Sequence, residues 1–275
     1  MGSTSEIIDS ATIDDEILTV RLRNGVVLSA TQDRNAVIPY YFYYARQGKL
    51  DKIGSFALFN TFFQILHEQF IDDCYQKTHA LKPGEVVVDV GANVGAFTIK
   101  AALAVGDSGK VIAIEPEIHN CQMLAQNVND NGLRNVQIVP MGAWSSKKEL
   151  PLYVSDSIGG HTFNEESSKL FDYRETQETC QLDTLDNILA KLTTKNVDFI
   201  KMDIEGAEIE AIKGAHDTLM RCSPHMAIAA YHIVDGEPSY KELTKLLRNI
   251  HGYQTRVSLG GILHAAKSKN NVRHV

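Results

Sequence analysis

Five runs of apolar, β-branched residues in this chain each lead into residues able to bind or react. VVVDVG opens the glycine-rich turn that carries Asp89, Gly91, Ala92, Asn93, Gly95, Phe97 and Thr98. KVIAIEP ends in Glu115 and Pro116, and VQIVPM runs into Gly142, Ala143 and Trp144. DFIKMDIEGAE carries Lys201, Asp203, Glu205 and Glu208, and HMAIAAYH closes on Tyr231 and His232. In an open α/β sheet ligands bind beyond the carboxyl ends of the strands, so these five ends read together as one site.

The first turn has its glycines at GxxxG spacing, without the third glycine that seats a helix N-terminus on a dinucleotide's pyrophosphate. Asp89, just before it, suits a ligand with positive charge. A carboxylate at Glu115 can accept both hydroxyls of a ribose, with Pro116 fixing the turn. Together they form a nucleoside-binding arrangement, and the missing glycine favours S-adenosylmethionine over a nicotinamide dinucleotide. Gly142 and Ala143 beside the flat Trp144 can line an adenine, although the only tryptophan of the chain suits a core or interface equally well.

Lys201 and Asp203 share side-chain parity and so point to one face of their strand. Asp203 and Glu205 stand where reacting atoms would lie. Glu205 and Glu208 also fall near the start of a helix, where negative charge is favoured by about 0.3–1 kcal/mol, and for Glu208 that structural reading outweighs ligand contact. A histidine such as His232 is a natural base for removing a hydroxyl proton as a methyl group arrives, and Asp203 shares the base or orienting role. Methyl transfer is an in-line displacement at a sulfonium, so positioning supplies most of the rate. A hydrogen-bonded structural role is the competing reading for His232. Asp203 and His232 are also the pair that would share a divalent metal, a reading that two ligands on separate strands support only weakly.

The elements that must hold these residues follow from the pattern. VVVDV, KVIAI, VQIV, DFIKM and HMAIA alternate with amphipathic stretches, among them TIKAALAV, GAEIEAIKGAHDTLM and SYKELTKLLRNIH. Such alternation predicts a parallel sheet covered on both faces. Cys121, Leu124, Ala125 and Val128 fall on one helix face that Asn131-Gly132 ends. Upstream, ILTVRLRNGVVLSA predicts a hairpin with a type I′ turn at Asn24-Gly25. Phe59, Phe62, Phe63, Leu66 and Phe70 predict a helix. Residues 1–82 thus read as a hairpin-and-helix cap, and 83–275 as the cofactor-binding domain with a strand-rich insertion over 147–180. The insertion's tip, with Gly160, His161 and Thr162, can fold over the cofactor and touch substrate. Glu68 and Tyr75, placed on the preceding helix, can close the pocket's other side. The tyrosine run at 40–44 suits the core or a homodimer contact better than a substrate cage.

VDVGANVGAFT, IEP, the GAW turn, LDTL at 182–185 and DFIKMDIEGAE together resemble the FkbM family of S-adenosylmethionine-dependent methyltransferases, over about residues 83–232. The resemblance implies a class I methyltransferase fold, a Rossmann-like and mostly parallel sheet with helices on both faces. It implies chiefly O-methylation of hydroxyls on small molecules, sugars or lipids. It gives the glycine-rich turn to the methionine part of the cofactor and Glu115 to its ribose. Two alternatives stay open: N-methylation of a peptide or other amine, and a catalytically silent cofactor-binding scaffold. Against nucleobase N-methylation, Asp-Ile-Glu-Gly stands where a [DN]PPY-type segment is expected.

Composition narrows the partners. With 27 Lys+Arg against 34 Asp+Glu the formal net charge is −7, which gives no electrostatic reason to expect nucleic acid. No apolar run approaches the roughly 18 residues of a membrane span. The start MGSTSEIIDS lacks the features of a secretory signal, and four scattered cysteines read as reduced thiols, so a cytoplasmic protein is expected.

Overall fold

The computed structural model describes residues 4–14, 16–32, 59–154, 162–163 and 174–267. The tyrosine run at 40–44 and most of the insertion tip, including Gly160 and His161, lie outside the described residues.

The apolar runs form one sheet. Its strands are β4 (Val86–Val90), β5 (Lys110–Ile114), β6 (Val136–Val139), β10 (Phe199–Met202), β11 (His225–Ala229), β14 (Gln254–Val257) and β15 (Ile262–Ala266), numbered along the whole chain. Their order is β6-β5-β4-β10-β11-β15-β14. The first five are mutually parallel, whereas β15 runs antiparallel to both of its neighbours. This is the class I methyltransferase arrangement, with the strand order reversing between β4 and β10. The antiparallel edge was not legible in the sequence: β14 is largely exposed and lacks the apolar run of a central strand.

Alternation along the strands sorts the core. Val88, Val90, Ile112, Ile114, Ile200 and Met202 point to one face. There they pack on α5 (Leu185–Lys191), α6 (Glu208–Lys213), α7 (His216–Cys222) and α8 (Tyr240–Asn249). Val87, Val111 and Phe199 point to the other, against α3 (Ala96–Val105), and Ala113 packs on Leu124 of α4 (Ile118–Asp130). The stretch GAEIEAIKGAHDTLM is therefore two helices, not one. It breaks at Gly214, whose carbonyl accepts from Asp186 N and whose Cα backs onto the Trp144 carbonyl, where a Cβ would come within 2.0 Å.

The N-terminal segment has a short helix, α1 (Thr4–Ile7), and three antiparallel strands, β1 (Ile8–Asp14), β2 (Ile17–Leu22) and β3 (Val27–Thr31). The β2–β3 hairpin forms where expected, but its turn is not type I′. Gly25 alone has positive φ, at 90°, and its N–H donates to Leu22 O at 2.9 Å, a tight turn followed by a left-handed glycine. The predicted helix is α2 (Asn60–Phe70). Leu18, Val20, Leu28, Phe62 and Leu66 share one core with Val94, Ile99 and Met123, so this segment packs directly on α3 and α4. Asn127 of α4 and Asn131, which caps the helix, bind it like strand partners. Asn127 accepts from Ser29 N at 2.7 Å and donates to Ser29 O at 2.8 Å, and Asn131 accepts from Val27 N at 2.9 Å and donates to Val27 O at 2.6 Å.

Residues 148–154 and 174–183 form strands. β9 (Arg174–Asp183) lies between β7 (Gly142–Ala143) and β8 (Lys148–Val154). A two-residue pair, β12 (Ile233–Val234) with β13 (Glu237–Pro238), follows β11. Among the described residues no helix is long and apolar enough to cross a membrane, and no disulfide joins the four cysteines.

Candidate active site

A cleft of about 290 Å³ opens at the carboxyl ends of β4, β5 and β10, at the reversal of strand order. Its floor is the turn after β4, where Gly91, Ala92, Asn93 and the α3 residue Phe97 line it. Gly91 is required here. It has φ +77°, and a Cβ on it would lie 1.9 Å from the Asp203 carbonyl, so only glycine lets β4 and β10 end side by side. Asn93 sits in the left-handed region at φ 52°, one of the few conformations in which asparagine is favoured over other side chains.

Glu115 and Pro116 form the wall beyond β5. The carboxylate is held by its own fold: Oε2 accepts from Asn93 N at 2.8 Å and Oε1 from Glu117 N at 3.0 Å. Burial drives the Glu115 carboxyl up to about 7, against the lowering effect of those two N–H groups. Gly142 and Ala143 line the adjoining wall together with Phe163. Trp144 lies off the cleft, edge-on to Phe163 at 6.3 Å and capped by the Lys148 ammonium. The aromatic ring on this wall of the cleft is thus Phe163, which directly follows the insertion's tip.

Several predicted ligands serve the scaffold instead. Asp89 is fully buried; it pairs with Lys201 Nζ at 3.1 Å and accepts from Thr98 Oγ1 at 2.6 Å, so neither Asp89 nor Thr98 lines the cleft. Parity explains this, since Asp89 and Lys201 are register partners on the face under α3. Lys201 does line the cleft, but its ammonium is committed to Asp89 and to the Gly91 carbonyl at 2.7 Å. Burial pushes its pKa down, and the charges of Asp89 and Asp203 outweigh burial and raise it. Gly95 also lies outside the cleft, against Leu124.

At the opposite wall stand Asp203 and Glu205, with Glu68 projecting from α2. Thr61, Gln64 and Glu68 recur on one polar face of α2, opposite the buried Phe62 and Leu66, and all three line the cleft. That spacing was the available signal for Thr61 and Gln64. Burial raises the Glu68 carboxyl above its ordinary range. Tyr75 lies beyond the end of α2, not on it, and is buried. Its hydroxyl donates to Asp203 Oδ2 at 2.8 Å, so it orients the carboxylate and does not itself line the cleft. Thr162 is likewise buried, donating to the Glu205 carbonyl at 2.7 Å.

His232 does not stand free as a base. Its Nδ1 lies 2.8 Å from Glu208 Oε1, and its Nε2 lies 3.2 Å from Glu205 Oε2 and 3.9 Å from Asp203 Oδ1. Burial alone would lower its pKa, but the Glu208 and Glu205 charges lift it to about 11. Both ring nitrogens face carboxylates, so His232 is placed to orient them and not to stand open to an acceptor. Glu208, which the sequence offers as a helix-start acid, makes the shortest of these contacts. Glu208 does both jobs: Oε1 accepts from Ile204 N and Gly206 N at 3.2 Å each, while the same oxygen faces His232. Glu205 is held at φ 53°, backbone strain of the kind that clusters at functional sites.

The Methyltransferase FkbM domain model matches residues 89–255, most of the chain, from the end of β4 through the other strands of the cleft. The chain belongs to the FkbM methyltransferase family. It is therefore an S-adenosylmethionine-dependent methyltransferase by family. It is 26% identical over 194 residues to Methyltransferase sdnD of Sordaria araneosa, covering 61% of this chain and 74% of that protein. It is 27% identical over 215 residues to 31-O-demethyl-FK506 methyltransferase FkbM of Streptomyces tacrolimicus, covering 69% and 80%. A crystal structure of Methyltransferase FkbM from Methylobacillus flagellatus KT superposes with a TM-score of 0.49 at 22% identity, over 83% of this chain and 58% of that one. The FkbM match begins at Asp89 and so excludes the N-terminal sheet and α2, although α2 supplies Thr61, Gln64 and Glu68 to the cleft.

Proposed function

We propose that this FkbM-family enzyme methylates a hydroxyl group of a small molecule, sugar or lipid, with the cofactor bound along β4 and β5 and the acceptor under α2. The observation that carries the reading is the Tyr75–Asp203 pair. It presents an oriented carboxylate at the cleft wall opposite Glu115, with Asp203 Oδ1 left without a hydrogen-bond partner.

The residues of the cleft fit S-adenosylmethionine. Each Glu115 oxygen already accepts a backbone N–H, and an ionised carboxylate has lone pairs left for the two ribose hydroxyls. Gly91 keeps the floor open, and Phe163 with Gly142 and Ala143 gives a flat apolar slot for a base. The cofactor supplies a methyl group on a sulfonium. Lys201 holds the turn in place by its bond to the Gly91 carbonyl, so the floor is a rigid surface. Asp203 Oδ1 would accept the hydrogen bond of the acceptor hydroxyl and take its proton as the methyl–sulfur bond breaks and the C–O bond forms, a neutral thioether leaving, while Tyr75 holds Oδ2. Most of the rate comes from this positioning, because an in-line displacement needs oxygen and methyl carbon aligned. The acceptor side carries Glu68, Asp203 and Glu205, and among the described residues the one ammonium that lines it is committed, which suits a neutral polyol-like acceptor over an anionic one.

The test is turnover with a panel of hydroxyl and amine acceptors, followed by mass spectrometry of the product. Methyl on oxygen supports the reading, and methyl found only on nitrogen overturns it.

A further inference from the structure

Behind Asp203 lies a cluster that methyl transfer to a hydroxyl does not by itself require. One donor atom from each of Asp203, Glu208 and His232 lies within 4.8 Å of the other two. Ligand distances of about 2.1–2.5 Å around a hard divalent ion imply donor separations of roughly 3–5 Å, so the spacing suits one ion. Each carboxylate is anchored through one part and left open at another. Asp203 is held at Oδ2 by Tyr75, while Oδ1 has no partner. Glu208 is held at Oε1 by Ile204 N and Gly206 N, while Oε2, on a fully buried side chain, has none. The His232 side chain is 10% exposed, and neither ring nitrogen has an acceptor in hydrogen-bond alignment despite the close carboxylates.

Orphaned buried polar atoms are costly, about 1–3 kcal/mol each, and several within one side-chain cluster call for a partner. Carboxylate ligands oriented by neighbouring hydrogen bonds are the usual construction of a metal site.

We propose that Asp203, Glu208 and His232 hold a divalent cation of the Mg²⁺ or Mn²⁺ class. Two carboxylates and one imidazole, whose proton the ion displaces as it binds, leave coordination positions open, and Asp203 and its neighbour Glu205 face the cleft, so acceptor oxygens can fill them. The site rests on the methyl-transfer reading for its purpose but not for its existence. It would restrict acceptors to those with two adjacent oxygens, such as vicinal diols or hydroxy acids.

Mn²⁺ binding by electron paramagnetic resonance and calorimetry tests this on the intact protein, with S-adenosylhomocysteine binding measured beside it. Expected is one Mn²⁺ per chain, weakened at least about tenfold in Glu208→Gln and His232→Gln, and about ten- to a hundredfold in Tyr75→Phe, which removes only the group that orients Asp203. Glu242→Gln, on the exposed face of α8, should bind as the wild type does. Glu208→Gln keeps an oxygen for the two backbone N–H groups, and unchanged S-adenosylhomocysteine affinity certifies its cleft. No Mn²⁺ uptake by wild type at millimolar ion, or equal uptake in Glu208→Gln and His232→Gln, overturns the proposal. S-adenosylhomocysteine binding in that case leaves the methyltransferase reading standing, and its absence beside intact Mn²⁺ binding would overturn that reading alone.

Discussion

Replacing Glu115 by Gln should cost the protein its cofactor affinity, and should also erase a pH dependence that the wild type has. The carboxylate accepts from Asn93 N and Glu117 N, with one oxygen for each. A glutamine keeps one of those oxygens and turns an N–H₂ toward the other backbone N–H, so donor faces donor. It also removes the charge from two hydrogen bonds to ribose hydroxyls, each worth about 1.5–3 kcal/mol with a charged partner. Part of that is regained by water in the free protein. A net loss of about 2–3 kcal/mol follows, which is about 30- to 150-fold in dissociation constant. The wild-type carboxyl titrates near about 7 because burial disfavours its charge. S-adenosylhomocysteine should therefore bind the ionised form, weakening about tenfold per pH unit below that value and levelling above it. Folding stability has the opposite slope. Between about 4.5 and about 7 the folded chain holds a proton on Glu115 that the unfolded chain has released, so this group's contribution falls as pH rises. Calorimetry of S-adenosylhomocysteine from about pH 5.5 to 8.5 reads the first effect, and thermal unfolding over the same range reads the second. A flat wild-type affinity, or a Gln variant within about twofold of wild type, would refute the reasoning.

Other substitutions separate scaffold from chemistry. Tyr75→Phe leaves Asp203 without its orienting donor and should lower kcat with the cofactor's Kd unchanged, read by steady-state kinetics beside calorimetry. Lys201→Met strands the buried Asp89 charge and should destabilise the fold by about 3–5 kcal/mol, seen as a fall in denaturation midpoint. Asn127→Ala removes the bonds to both Ser29 backbone groups, leaves them unpaired, and should cost about 1–3 kcal/mol. Limited proteolysis should then cut first in the N-terminal sheet.

The sequence carried the parallel core because VVVDV, KVIAI, FIKM and HMAIA are buried on both faces and are written as largely apolar runs. It carried the strand ends for the same reason, and Gly91, Glu115, Asp203 and Glu205 all line the cleft. What it hid depends on partners distant in the chain. Asp89 looks like a ligand until its register partner Lys201 is seen beneath α3. His232 looks like a base until Glu208 and Glu205 close on it from another loop. Trp144 and Phe163 differ by which one turns inward, and a residue's type does not fix that. β14 escaped because it is a largely exposed edge strand with no apolar run.

A crystal structure with S-adenosylhomocysteine bound tests the central claim most directly. The account predicts both ribose hydroxyls on Glu115 and the sulfur directed into the cleft toward Asp203. A ligand whose ribose avoids Glu115, or whose sulfur faces away from Asp203, would contradict it.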